Sequence, residues 1–161
     1  MTVVADTSPI HYAVKIDIAD VFFRLYGRIA VPSAVHAELL DPGAPDGLRN
    51  WVAGNRSRVD VISVKTSNDP GLLQLDPGER EAIALAHQSP DSLLIIDHLE
   101  GRVEAERRGI RVTGLLGVIR DAGLRGYLDF DKAIDRLKTI DFRLSPAVET
   151  LIRTQFRTSG I

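Results

Sequence analysis

Two short apolar segments that each end on an aspartate constrain this chain more than any other feature. The apolar run 3–5 stops at Asp6, and the run 93–96 stops at Asp97. Four consecutive apolar residues are typical of a strand buried on both faces, as in a parallel sheet covered by helices. Because the ligand crevice of an open parallel sheet lies outside the carboxyl ends of its strands, both aspartates are predicted to face one crevice.

Strand-like and helical segments alternate along the rest of the chain. Further strands are predicted over 29–31, 59–64 and 110–113, and helices over 10–19, 33–40, 48–52, 79–86, 99–108, 115–122, 131–138 and 146–157. Ser33 and Asp76 are the predicted caps of their helices, and Asp69-Pro70-Gly71 is predicted to interrupt regular secondary structure. This alternation predicts an α/β fold, a three-layer α/β/α sandwich around a central parallel sheet. The length of 161 residues suits one domain over 1–161, with C-terminal helices at about 131–157 as an appendage.

Composition excludes several classes of function. The chain has no cysteine, which excludes thiol catalysis, zinc–thiolate sites and a disulfide framework, so a reducing cytoplasm is the expected compartment. Neither a signal peptide nor a run of about 20 apolar residues is visible, so no membrane association is expected. A net charge of −2 argues against a protein that simply coats nucleic acid. Four arginines within ten residues nevertheless form a candidate basic patch: Arg102, Arg107, Arg108 and Arg111.

Other acids join the two aspartates as candidates, and each has a simpler interpretation. Either aspartate can be a helix cap, and Glu38, in the helix after Pro32, can face solvent. Glu79 and Glu81 lie in the first turn of a helix, where acids favour the positive end of the helix dipole. Since they are two residues apart, they cannot share one helical face.

A cluster of such carboxylates indicates a particular chemistry. Mg²⁺ and Mn²⁺ prefer oxygen ligands, and three or four acids can hold one or two of these ions. Bound metal lowers the pKa of a coordinated water and neutralises phosphate oxygens, whereas crowded acids without a cation repel one another. Phosphodiester hydrolysis is therefore the predicted reaction class. The motifs of serine hydrolases, P-loops and dinucleotide-binding folds are absent from the sequence.

Four segments resemble PIN domains, in the branch of VapC-like toxins that is often described only as predicted nucleic-acid-binding proteins. They are 3–10 (VVADTSPI), 31–39 (VPSAVHAEL), 75–86 (LDPGEREAIALA) and 95–97 (IID), the last followed by Arg102, Ala105, Gly109 and 112–118 (VTGLLGV). The segments span nearly the whole chain in the order of the family. The resemblance implies an α/β/α sandwich whose acidic centre binds Mg²⁺ or Mn²⁺ and cuts RNA.

The resemblance also implies roles for individual residues. The metal-binding and catalytic acids carried over are Asp6, Glu38, Glu79 and Asp97. The third of these is open: aspartate is common there, and spacing favours Glu79 over Glu81. Thr7 or Ser8 would support the first acid by hydrogen bonding, and Thr7, Ser8 and Arg102, with Arg80 as a further candidate, would contact RNA. His98 stands where the family often has another acid, so one metal is expected rather than two.

The resulting hypothesis is a Mg²⁺- or Mn²⁺-dependent endoribonuclease, the toxin of a type II toxin–antitoxin pair. The expected partners are an RNA substrate, a small antitoxin protein and a second copy of the chain in a homodimer. The alternative is a non-catalytic PIN-like module that binds RNA or protein, which the His98 departure favours. A receiver-like phosphoacceptor domain ranks lower, because it needs an acid pair near the first strand, which supplies only Asp6.

Overall fold

A five-stranded, all-parallel sheet forms the centre of the molecule. The computed structural model describes residues 1–66 and 69–159, so residues 67–68 and 160–161 of the predicted domain lie outside the described residues. The strands are β1 (Thr2–Ala5), β2 (Ile29–Pro32), β3 (Val59–Ile62), β4 (Ser92–Ile95) and β5 (Arg111–Thr113). Their order is β3-β2-β1-β4-β5. The predicted α/β architecture with a parallel sheet is confirmed.

Helices connect the strands and cover both faces of the sheet. They are α1 (Thr7–Lys15), α2 (Val21–Tyr26), α3 (Ser33–Leu39), α4 (Asp46–Gly54), α5 (Pro70–Leu73), α6 (Pro77–Gln88), α7 (Leu99–Arg107), α8 (Leu115–Leu124), α9 (Phe130–Leu137) and α10 (Pro146–Ser159). Alternate residues of a strand point to opposite faces. Val3 therefore packs with the helices of the larger core, whereas Val4 packs with Ile83 and Ala105 of α6 and α7 in the smaller one.

The C-terminal helices contribute to the larger core. Ile134 and Leu137 of α9 are fully buried there, and Ile152 of α10 is buried beside them. Phe130 and Phe156 stack with their ring centroids 4.1 Å apart, which joins the start of α9 to α10. Within residues 1–66 and 69–159, none of the helices has the length and apolar character needed to cross a membrane.

Three local predictions are wrong. The first helix ends at Lys15 and does not run to residue 19, because Asp17 has a φ of +62° and the Ile18 N–H turns back to the carbonyl of Ala13. Ser33 is the first residue of α3 and not its cap. The Asp69-Pro70-Gly71 segment begins a short helix, α5, where the Asp69 carboxylate accepts a hydrogen bond from the Gly71 N–H.

Candidate functional site

Asp6 and Asp97 follow two neighbouring strands at the same edge of the sheet. β1 and β4 pair in parallel with Ala5 opposite Ile95, and the Asp6 N–H donates to the Ile95 carbonyl at 3.0 Å. Parallel pairing in this register brings the residues after both strands together. The carboxyl edge of β1 and β4 is therefore where the predicted crevice lies.

Asp6 is buried without acting as a helix cap through its side chain. It occupies the residue before α1, yet its carboxylate makes no capping hydrogen bond, and only 5% of the residue is exposed. The pKa of Asp6 is raised from 3.8 to about 7, mainly by burial. The neighbouring carboxylates of Glu79, Asp76 and Glu38 contribute to the rise, and the backbone N–H of Thr7 opposes it. The capping interpretation therefore does not explain this residue.

Glu38 reaches the same crevice from α3. Its Oε2 accepts a hydrogen bond from the Thr7 hydroxyl. The Thr7 hydroxyl thus binds the second acid, whereas it is the backbone N–H of Thr7 that acts on the first. Partial burial raises the pKa of Glu38, while Thr7 and the Gly78 N–H oppose that shift. A Cβ on Gly78 would lie 2.6 Å from Glu38 Oε1, so the glycine leaves room for the carboxylate.

The two candidates for the third acid point to different places. Glu79 is 5% exposed, and the Nδ1 of His98 lies 2.8 Å from its Oε1. Burial, followed by the charge of Asp76, raises the pKa of Glu79, and His98 opposes the rise. Glu81 instead accepts a hydrogen bond from the Ala34 N–H at 3.0 Å, in the first turn of α3. Of these two glutamates, only Glu79 raises the pKa of Asp6.

Asp97 is held by one of its oxygens and leaves the other without a partner. Its Oδ1 accepts a hydrogen bond from the Leu115 N–H at 2.9 Å, at the start of α8. Its Oδ2 is buried and, among the residues that the structure describes, has no hydrogen-bond partner. Burial raises the pKa of Asp97, and the Leu115 N–H and the Arg102 guanidinium oppose the rise. A buried carboxylate oxygen without a partner is costly, which indicates a ligand that would satisfy it.

Three of the four arginines in the predicted basic patch form ion pairs with acidic side chains. Arg107 pairs with Glu104, and Arg108 pairs with both Glu104 and Asp69. Arg111 pairs with Asp91 at the opposite end of the strands. Across the described ranges, Arg102 makes no ion pair within 4.0 Å, and its guanidinium lies beside Asp97. One of the four arginines therefore remains at the candidate site.

From the sequence, Asp76 is predicted only as a helix cap. That role is confirmed, since its Oδ1 accepts from the Glu79 N–H at 2.8 Å. Its charge also raises the pKa values of Asp6, Glu38 and Glu79, so it belongs to the acidic group as well. The segment Asp76-Pro77-Gly78-Glu79 carries the sequence signal for this second role of Asp76, because a capping acid one turn before a candidate ligand brings two acids close together.

The donor set fits a hard divalent cation. Asp6, Glu38, Glu79 and Asp97 offer carboxylate oxygens, the ligands that Mg²⁺ and Mn²⁺ prefer. In the part of the chain that the structure describes, no three acidic or histidine side chains lie close enough together to hold a metal ion between them. Mg²⁺ usually keeps several of its waters and binds through one or two carboxylates, so an open arrangement suits it. The buried, uncompensated acids supply the reason for a cation to bind.

Comparison with known proteins agrees with this geometry. No curated protein matches the chain significantly. A family model described as "PIN domain" matches residues 2–157, which is nearly the whole chain. PIN domains are usually nucleases and generally use divalent metal ions. With its parallel sheet and its acids at the carboxyl edge, the chain belongs to the PIN-domain family.

Proposed function

We propose that this PIN domain is a Mg²⁺- or Mn²⁺-dependent endoribonuclease. The observation that carries the proposal is that Asp6, Glu79 and Oδ2 of Asp97 are buried at one edge of the sheet, and that Asp6 forms no ion pair within 4.0 Å among the described residues. Burying an ionised carboxylate is unfavourable unless a counter-charge accompanies it. A divalent cation held by Asp6, Glu38, Glu79 and Asp97 would provide that charge.

The residues of this chain prepare the carboxylates for that role. The Thr7 hydroxyl holds Oε2 of Glu38, and the Leu115 N–H holds Oδ1 of Asp97. These bonds orient one oxygen of a carboxylate and leave the other for a ligand. When bound, the cation activates water and neutralises phosphate charge. Arg102, beside Asp97, is placed to attract a phosphate of the substrate, with Thr7, Ser8 and Arg80 as further RNA contacts.

RNA as the substrate, and a toxin role, are parts of the same proposal. Both rest on the resemblance to VapC-like toxins. A small antitoxin protein and a second copy of the chain are the proposed partners. Val148 and Leu151 of α10 are exposed apolar residues on the C-terminal surface proposed for such contacts.

Substitution of Asp97 tests the ribonuclease directly. We expect Asp97→Asn to lower the rate of RNA cleavage at least about 100-fold, because the metal loses a charged ligand. Cleavage of a fluorescently labelled RNA is measured with Mg²⁺, with Mn²⁺ and with EDTA. Asp91→Asn is the matched control, since Asp91 is exposed and pairs with Arg111 at the opposite end of the strands. Full activity of a folded Asp97→Asn protein, or undiminished cleavage in EDTA, contradicts the proposal.

A non-catalytic module that binds RNA or protein is the second candidate. His98 at the position of a family acid favours it, as does the lack of a closed metal-binding group in the described residues. Calorimetric titration with Mn²⁺ separates the two. The ribonuclease takes up Mn²⁺ in a manner that Asp97→Asn weakens, whereas a module that only binds shows no uptake dependent on these carboxylates.

A further inference from the structure

A cavity of about 310 Å³ opens beside Asp97, at the carboxyl end of β5. Asp97, Arg102 and Arg120 of α8 line it. Leu151 and Gln155 of α10 line it as well. The C-terminal helix therefore forms a wall of a cavity that begins at one of the proposed metal ligands.

The lining of this cavity has two chemical characters. The guanidinium groups of Arg102 and Arg120 give it cationic character; Arg120 donates from Nη1 to Gln155 Oε1 at 2.8 Å and pairs through Nε with Asp121 at 3.0 Å. Its apolar side carries the aliphatic side chains of α10, of which Val148 and Leu151 are 42% and 57% exposed. An occupant that satisfies both sides must combine an anionic group with a flat or compact apolar group. Ribonucleotides have this combination, a phosphate and a base with apolar faces.

The position of the cavity relative to the acids also fits a nucleotide. The residues after β1 and β4 are the acids Asp6 and Asp97, and β5 is the next strand in the sheet. Neighbouring strands lie about 4.8 Å apart, so the cavity extends from Asp97 by about one strand spacing toward the end of β5. An endonuclease must accommodate substrate on both sides of the bond that it cuts. On the β5 side of the acids, this cavity offers space for it.

Two glycines bring the backbone close to the groups at the mouth of the cavity. A Cβ on Gly114 would lie 2.5 Å from Asp97 Oδ1 and 2.7 Å from Arg102 Nη1. A Cβ on Gly117 would lie 2.2 Å from the Thr113 hydroxyl oxygen. Any larger residue at 114 would displace Asp97 or Arg102. Because Gly114 has no side chain, the backbone that lines the cavity can lie close to Asp97 and Arg102.

We propose that this cavity is a nucleotide subsite that binds the RNA residue next to the cleaved phosphate. Its base packs on the aliphatic surface of α10, and its phosphate contacts Arg102 and Arg120. The inference deepens the proposed ribonuclease function and rests on it. It also assigns α10 a role in substrate binding.

RNA binding is measured apart from cleavage, in protein that carries Asp6→Asn. Fluorescence anisotropy with a labelled single-stranded RNA gives the Kd in each variant. Val148→Trp fills the cavity from an exposed position, and Arg120→Gln removes a charge from its wall. We expect each to weaken binding about 5- to 20-fold, the range of one lost ionic or stacking contact. The matched controls are Arg157→Gln, an exposed arginine of α10 outside the cavity, and Leu73→Trp, an exposed leucine of α5.

Photocrosslinking locates the occupant. RNA with 4-thiouridine placed at successive positions is irradiated on the Asp6→Asn protein, and the attached peptide is identified by mass spectrometry. Crosslinks from one nucleotide to the 148–155 segment of α10 support the subsite. Equal Kd values for the cavity variants and the controls overturn it, as do crosslinks that avoid α10, which would leave the cavity to a protein segment. If wild-type protein cuts no RNA but these variants still weaken binding, the cavity binds a nucleotide of RNA, but the ribonuclease proposal fails and with it the assignment of the cavity to the residue next to a cleaved phosphate.

Discussion

Aspartates at the two ends of the parallel sheet lie in opposite environments. At the amino end, Asp91 is exposed and pairs with Arg111 at 2.8 Å and with the N-terminal amine at 3.6 Å. At the carboxyl end, Asp6 is buried and Asp97 is half-buried with a buried Oδ2, and burial raises both pKa values. One end carries ordinary surface ion pairs, and the other brings acidic side chains together in buried and half-buried positions.

This difference separates residues kept for stability from residues kept for function. Exposed ion pairs contribute little to stability, but they also cost little. Buried acids that repel one another lower the stability of the metal-free protein, so a sequence selected for stability alone would replace them. Their arrangement at the carboxyl end is explained if a cation and a phosphate are bound there. Substitutions that compare the two ends test this explanation.

The largest expected effect concerns the third acid. Glu79→Gln is expected to lower RNA cleavage about 100- to 1000-fold, because it removes a charge that lies beside Asp6. Glu81→Gln is the matched substitution two residues away. Its amide oxygen can still accept the hydrogen bond from the Ala34 N–H, so cleavage is expected to stay within about threefold of wild type.

Steady-state kinetics with Mn²⁺ held in excess compares the two variants. Both should unfold at temperatures close to that of wild type, which excludes a loss of fold as the cause. The reverse order, with Glu81→Gln inactive and Glu79→Gln active, would move the third acid to Glu81.

The second effect is on stability. In the folded protein the pKa of Asp6 is about 7, against an ordinary value of 3.8. Between these pH values the folded state binds more protons than the unfolded state, so metal-free protein loses stability as pH rises from about 4 to about 7. Asp6→Asn removes this loss. At pH 8 we expect it to raise the free energy of unfolding by about 2–4 kcal/mol, a limit set by the difference between the two pKa values.

Urea denaturation in EDTA at pH 8 and at pH 4.5 measures this effect. The advantage of Asp6→Asn should shrink at the lower pH, where Asp6 is protonated in the folded state. Asp91→Asn, at the amino end, should change stability by about 0.5 kcal/mol or less at both pH values. A destabilised Asp6→Asn protein at pH 8 would show that the charge of Asp6 is compensated in the metal-free fold.

The strands and the aspartates that follow them were predictable from local sequence. A run such as 93–96 followed by Asp97 specifies a buried strand and the position of its acid. Contacts between distant residues were not predictable in this way. The Thr7 hydroxyl binds Glu38, 31 residues away, and Asp97 accepts from Leu115, 18 residues away. These pairs arise only when the sheet brings separate strand ends together, so no local pattern encodes them.

The end of α1 and the choice of the third acid show the same limit. No glycine or proline interrupts residues 10–19, so the sequence gives no sign of a helix end there. The chain nevertheless adopts a left-handed conformation at Asp17, and Ile18 packs into the core. Glu79 and Glu81 lie in the same turn of α6 but on different faces, and the packing of α6 against β1 and α3 decides which of the two faces meets the crevice. Spacing favoured Glu79, and the structure places it in the crevice beside Asp6.

The smallest expected effect concerns His98, which contacts Glu79 as Arg111 contacts Asp91. Its Nδ1 lies 2.8 Å from Glu79 Oε1, while 54% of its side chain is exposed. We expect His98 to orient Glu79 by hydrogen bonding, as residues behind metal ligands commonly do. His98→Ala should therefore weaken Mn²⁺ binding about 3- to 10-fold in calorimetry, a modest loss because the pair is partly solvated.

His98→Asn separates hydrogen bonding from packing. Its side-chain amide can place an N–H close to the position of Nδ1, so Mn²⁺ affinity within about twofold of wild type is expected. If Asn binds Mn²⁺ as weakly as Ala, hydrogen bonding to Glu79 is not what His98 contributes. Unchanged affinity in both variants would mean that Glu79 is oriented by α6 and the Asp76 cap alone. Glu79 would then have no functional counterpart of the Arg111 side chain that pairs with Asp91 at the amino end. The difference between the ion-paired acids of the amino end and the acids of the carboxyl end would be larger.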